Sequence, residues 1–418
     1  MRFLLRRVLP AACAAFAVAC TGVRTTPAAA SAHPYVVMVS FDAFRADYID
    51  RYHPRAIEEI GTLGVRAEAL VPSFPSKTFP NHYTLVTGLY PGHHGIVGNS
   101  FYDPARDAIY KSGDTIAVRD GTWYGGEPIW VTAEKNGVKA ASYFWSGSEA
   151  AIGGVRPSYY EIYNGKVPNE SRVNGIIRWL RKPPADRPHL VLLYLSEVDD
   201  TTHKFGPDTP HTGVAVADVD RALRVLLDSI KELPIHDSVN IVLMSDHGMA
   251  ATPAEKVIPV GDLMMRGGVD TARVVLSDNG PVMSLWFHGD SLRARRAHDV
   301  LNASMTHARA WFQAEAPARW HLGDNPRFGD LLLVADEGYI LQRSSTDKAP
   351  NAGNHGYDPY TVPSMRGIFL AAGPGVRKVG TVPSFENVNV YPFVAALLRL
   401  GHVPAVDGSL SPLKAAIF

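Results

Sequence analysis

Three uninterrupted apolar runs, Tyr35–Phe41, Leu190–Leu195 and Asn240–Ser245, limit what this chain can become more than any other feature. Their hydrophobic residues are consecutive rather than alternating, so as strands they must be covered on both faces. That requirement predicts an α/β fold with a mainly parallel central sheet flanked by helices. Gly367–Ala371 is a weaker fourth strand. Between the runs, Val216, Val219, Leu223, Leu226 and Ile230 recur at helical spacing, with Asp220 and Arg224 expected to pair on the wet face. Asp290–Gln313 and Tyr391–Leu400 are predicted as further helices. Segments 100–185 and 255–345 interrupt the alternation. The first reads as a lid or subdomain, the second as a partly antiparallel insertion, and residues 33–418 as one domain carrying both.

Composition narrows the function classes. The 418 residues carry 41 Lys+Arg and 41 Asp+Glu, which gives no general field for a polynucleotide. Both cysteines precede residue 21, so a Cys-based zinc site in the body is excluded. Residues 1–32 read as an export signal: Arg2, Arg6 and Arg7 precede an apolar run, Val8–Val18, too short to span a bilayer. Ala17-Val18-Ala19-Cys20 reads as a lipobox, with Cys20 lipidated and Thr21–Ser31 as a tether. Ala30-Ser31-Ala32 is the competing cleavage site, leaving His33 as first residue. Either processing implies an exported, periplasmic protein, anchored as a lipoprotein in the first case.

Each strong run leads into acidic or acid–histidine residues: Asp42, then Asp199 to His203, then Asp246-His247. Ligands of open α/β sheets bind at the carboxyl ends of strands. One such Asp is ordinarily a turn or cap residue, but three clusters at three strand ends are hard to explain as packing. Asp199 and His203 fall on one face of a helical turn, and His355 lies in the glycine-rich loop Asn351–Tyr357. Asp42, Asp199, His203, Asp246, His247 and His355 make six N/O ligands, too many for one Zn²⁺ and enough for two. Thr78, with Pro80 in the first turn of a helix running through Thr87, sits where free N–H groups favour phosphate. A hydroxyl there, beside a metal, is a credible nucleophile on phosphorus.

The stretches Val39–Arg45, Lys77–His82, Thr87–Ile96, Gly98-Asn99, Gly126–Trp130, Asp199–His203, Ser245–Met249 and His355–Asp358 resemble the nucleotide pyrophosphatase/phosphodiesterase family of the alkaline phosphatase superfamily. The resemblance runs from about residue 35 to 405 and is similar to a bacterial, catalytic-domain-only member. It implies an alkaline-phosphatase-like fold and two Zn²⁺ per chain. One would be held by Asp42, Thr78, Asp246 and His247, the other by Asp199, His203 and His355. Thr78 would be the nucleophile, forming a covalent phospho-threonine ester, and Asn99 would donate to a phosphate oxygen. Phe79 and Tyr163 would clamp a nucleobase. The chain departs from the family pattern at Val198 and Thr202, neither a ligand.

The expected activity is hydrolysis of phosphodiester or pyrophosphate bonds in small nucleotides, releasing nucleoside 5′-monophosphate, with no polynucleotide partner. A choline- or glycerol-type phosphodiesterase acting on lipid-derived head groups is the alternative. Pro104–Trp123, similar to an insertion of nucleotide-cleaving relatives, favours the first. His82, His93 and His94 are left open between partners of the ligands and loop residues.

Overall fold

The computed structural model describes residues 33–418; the export-signal, lipobox and tether expectations lie outside them. The three apolar runs form adjacent strands, with Tyr35–Phe41 in the middle and parallel to both Leu190–Leu195 and Val239–Met244. They lie within an eight-stranded sheet that continues through Ala140–Tyr143 and Tyr159–Glu161 on one side. On the other side come Phe369–Ala372, Val65–Ala67 and Gly380–Val382. Phe369–Ala372 is antiparallel to both its neighbours, so the sheet is mainly rather than wholly parallel.

The continuous hydrophobicity has the cause expected of it. Val37, Val39 and Phe41 point into one core, packed by the helices Arg55–Leu63, Asn169–Leu180 and Pro210–Lys231. Val36 and Met38 point into the other, with the helices Thr78–Thr87, Ile129–Lys135 and Val390–Leu397. Each fully buried side chain of this kind contributes about 1.5–3 kcal/mol of transfer free energy. Val216, Val219, Leu223, Leu226 and Ile230 are all buried on the helix Pro210–Lys231, as their spacing predicts.

Three expectations need correction. The helix expected over Asp290–Gln313 ends at Ser304, and Ala308–Phe312 is a strand paired antiparallel with Leu331–Ala335. That strand belongs to a four-stranded antiparallel sheet within the 255–345 insertion, whose pairing overrides an alanine-rich sequence. Segment 100–185 is not one lid, because Ala140–Tyr143 joins the central sheet beside Leu190–Leu195. The hairpin Ser100–Asp103/Ala108–Lys111 pairs outside that sheet, and its Phe101, Tyr102 and Tyr110 pack into the same core as Val36 and Met38. Asp220 does not pair with Arg224: it accepts from the Ile57 amide, while Arg224 binds Glu59 and Asp228.

Candidate active site

Parallel register puts the three acidic clusters together. Phe41 lies beside Leu195 and Ser40 beside Met244, so Asp42, the helix after Ser196 and the Asp246-His247 turn emerge at one sheet end. The helix Glu197–Phe205 carries Asp199 and His203 one turn apart, with Asp199 Oδ1 3.4 Å from His203 Nε2. A short antiparallel pairing of Gly353–Asn354 with Ala250–Ala251 brings in His355, whose Nε2 is 3.8 Å from Asp199 Oδ1.

Six side chains thus form two groups of potential metal ligands, Asp42/Asp246/His247 and Asp199/His203/His355. The first is fully buried; in the second Asp199 and His203 are partly exposed. The groups adjoin, since the His247 and His355 rings stack with centroids 3.6 Å apart. Each histidine donates or shares Nδ1 with a backbone carbonyl: His203 with Gly353 (2.7 Å), His247 with Gly248 (2.8 Å) and His355 with Ser76 (2.9 Å). Those bonds fix the tautomers and turn every Nε2 toward the carboxylates.

The residues fit a pair of divalent cations. Asp42 Oδ1, Asp199 Oδ1 and Asp246 Oδ2 are buried without a hydrogen-bond partner among the described residues. These are the same oxygens that face the imidazole Nε2 atoms, Asp42 Oδ1 and Asp246 Oδ2 lying 3.4 and 3.0 Å from His247. Buried anionic oxygens left unpaired are costly unless a cation binds them. Burial, with Asp246 and Asp199 close by, pushes the Asp42 carboxyl well above the usual range. Burial also opposes ionisation of Asp246, but the His247 and His82 imidazoles hold its carboxyl well below that range. Burial and the neighbouring His247 and Lys77 keep His355 neutral, as a ligand must be.

Thr78 is the first residue of the helix Thr78–Thr87, and its Oγ1 lies 3.2 Å from His247 Nε2, beside the buried group. The helix start is not a bank of free amides. Asn99 Oδ1 accepts from the Phe79 N–H at 2.9 Å, and Pro80 has none, which leaves the Thr78 N–H. Because the backbone atom can only donate, the facing Asn99 atom must be oxygen, and its Nδ2 is left to the cleft. Thr78, Phe79, Asn99 and Tyr163 line one cleft of about 440 Å³ that also reaches Asp42 and Asp199. Phe79 is partly buried against Tyr110, while Tyr163 is half exposed and edge-on to Phe144.

Two residues of the site carry no motif in the sequence. Tyr194, inside an apolar strand, donates to Asp42 Oδ2 at 2.5 Å. Glu149 accepts from the Tyr163 amide and the Arg119 guanidinium, tying together two cleft walls. Neither has a local sequence signal, because each acts through a partner distant in the chain. Of the three open histidines, His82 lies behind the site, 3.1 Å from Asp246 Oδ2 and 2.8 Å from Ser40 Oγ. His94 is a buried packing residue bonded to Thr84, and His93 is a surface partner of Asp407.

The sequence profile of the family described as type I phosphodiesterase/nucleotide pyrophosphatase matches residues 36–358. A venom phosphodiesterase of Naja atra is 35% identical over 390 residues, covering 90% of this chain and 46% of the relative. An uncharacterised pyrophosphatase/phosphodiesterase of Schizosaccharomyces pombe is 35% identical over 398 residues, covering 91% and 80%. The chain thus spans about half the length of the venom relatives it matches. Among solved structures, murine ectonucleotide pyrophosphatase/phosphodiesterase 5, an inactive variant in complex with AMP, superposes with a TM-score of 0.85 at 32% identity. That match covers 92% of this chain and all of the murine one.

Proposed function

The chain belongs to the type I phosphodiesterase/nucleotide pyrophosphatase family, with its alkaline-phosphatase-like α/β fold, and on that footing we propose that it hydrolyses phosphodiester or pyrophosphate bonds of small nucleotides. The product is a nucleoside 5′-monophosphate. The observation that carries this reading is the single cleft in which Thr78 adjoins the two ligand groups and is flanked by Phe79 and Tyr163.

Thr78 Oγ1 attacks phosphorus in line, the bond to the leaving oxygen breaks, and a phospho-threonine ester remains. Water then attacks that phosphorus, the ester bond breaks, and the Thr78 hydroxyl is restored. Asn99, its carbonyl held by the Phe79 amide, presents Nδ2 to a non-bridging phosphate oxygen. Phe79 and Tyr163 bind the base by stacking, worth about 1–3 kcal/mol, enough to prefer a nucleotide but not to read its base. Asp42, Asp246, His247 and Thr78 would hold one zinc ion and Asp199, His203 and His355 another, which when bound would ease deprotonation of hydroxyl groups and offset charge building on the phosphoryl oxygens.

Export to the periplasm, with Cys20 as a lipid anchor, belongs to the same proposal and rests on the N-terminal sequence alone. A hydrolysis screen of ATP, a cyclic dinucleotide, a nucleotide sugar and glycerophosphocholine, with and without chelator, tests the activity. Nucleotides are expected to react faster than glycerophosphocholine, and chelator to stop all turnover. Preference for glycerophosphocholine would transfer the chain to the choline/glycerol class; chelator-resistant turnover would remove the metals from the reading.

A further inference from the structure

The two ligand groups are held from behind in different ways. The histidines rest on backbone carbonyls, and Asp246 Oδ1 accepts from the Ala43 amide at 3.3 Å. Those bonds end on backbone atoms, although the Asp246 Oδ2 atom that faces His247 also lies 3.1 Å from the His82 ring. Asp42 is different: among the described residues it is the one ligand whose second oxygen is held by a side-chain hydroxyl, that of Tyr194. The Tyr194 ring is itself fixed, buried at the end of its strand and edge-on to His82 with centroids 5.1 Å apart. Its other neighbour is the cleft aromatic Tyr163, with centroids 6.2 Å apart.

We propose that Tyr194 is a positioning residue for the Asp42/Asp246/His247 cation site: its hydroxyl locks Asp42 Oδ2, so that Oδ1 alone faces the metal beside Thr78. The inference rests on the metal reading of the preceding subsection. A carboxylate free to rotate can turn either oxygen inward or chelate with both, and it pays rotational entropy on binding. A carboxylate with one oxygen occupied arrives as a fixed monodentate ligand. Hydrogen-bond partners of this kind typically change metal affinity or activity 10–100-fold when removed. The effect is expected chiefly at one of the two sites, because Asp42 is the candidate ligand to which the hydroxyl hydrogen-bonds.

The test is Tyr194→Phe, which keeps the ring. Metal-free wild type and variant are titrated with Zn²⁺ in competition with a chromophoric chelator, and with Co²⁺ followed by visible absorption. Two equivalents are expected in both proteins, with one affinity about 10–100-fold weaker in the variant and the other unchanged. The Co²⁺ bands of the weakened equivalent should shift, and excess Zn²⁺ should restore much of the lost hydrolysis, which a packing defect would not allow. Two unchanged affinities with superposable Co²⁺ spectra would overturn the inference while leaving the metal reading intact. Equal weakening of both sites would overturn it as general damage. A wild type that takes up no metal would overturn both.

Discussion

Asn99 does two jobs with two atoms, and they can be separated. Its oxygen caps the Phe79 amide, and in the proposed mechanism its nitrogen donates to a phosphate oxygen. Asn99→Asp keeps an acceptor for the cap but replaces the donor with a second, anionic oxygen. We expect thermal stability close to wild type and hydrolysis reduced about 10²–10³-fold, the usual effect of losing one oxyanion donor. Thr78→Ala should cost more, about 10³-fold or beyond, while metal analysis still finds both equivalents. Wild-type turnover in Thr78→Ala would end the nucleophile assignment.

His94 sets a pH limit at the same scale. Its Nδ1 accepts from the Ile96 amide and its Nε2–H donates to Thr84, so the ring is held neutral. Burial lowers its pKa to about 3, against 6.5 for an exposed imidazole. The unfolded chain therefore binds a proton here between those values and the folded chain does not. Stability from this group is complete above pH 6.5 and falls as pH drops toward 3, by about 1.4 kcal/mol per unit. Urea unfolding at pH 7 and pH 4.5 should show a smaller difference for His94→Gln than for wild type.

Elements enter the site through their ends. A strand end supplies Asp42, a helix start Asp199 and Thr78, and a turn Asp246 and His247. The turn tolerates no added atom, because a Cβ at Gly248 would lie 2.1 Å from the Ser364 carbonyl oxygen. Backbone on both sides must move to relieve that contact. Gly248→Ala is expected to cost about 1–3 kcal/mol of stability and to weaken metal uptake through His247. A variant with unchanged melting and metal content would mean the loop is softer than its packing implies. The Asn99 cap shows the same economy: it closes a helix whose first turn would otherwise leave an amide unsatisfied.

At the scale of the whole molecule, the ligand groups join segments from residue 42 to residue 355. Metal that binds them binds the folded chain and not the unfolded one. Each site held at a hundred times its dissociation constant should add about 2.7 kcal/mol to stability. Chelator is therefore expected to lower the melting temperature, and Zn²⁺ to restore it. The same melting temperature with and without chelator would rule out a metal bridging these segments. The sheet gives the arrangement its rigidity, since the three strands that carry the acidic clusters are neighbours buried on both faces.

Consecutive hydrophobic residues could be read as doubly buried strands because burial on two faces leaves no polar position, a property of the sequence itself. Chemical type did the same for the ligands: aspartates and histidines after such strands have few other uses in that number. The strand at Ala308–Phe312 could not be read, because its two alanines and its arginine acquire extended geometry only by pairing with Leu331–Ala335. Tyr194 lies within an apolar strand and Glu149 in no motif, and their hydrogen bonds arise only when the fold supplies Asp42, Tyr163 and Arg119 as partners. Residue type and order thus determined which groups gather at the sheet end; which oxygen of Asp42 and of Asp246 is left toward its neighbours was decided by hydrogen bonds between residues far apart in the chain, which only the folded structure forms.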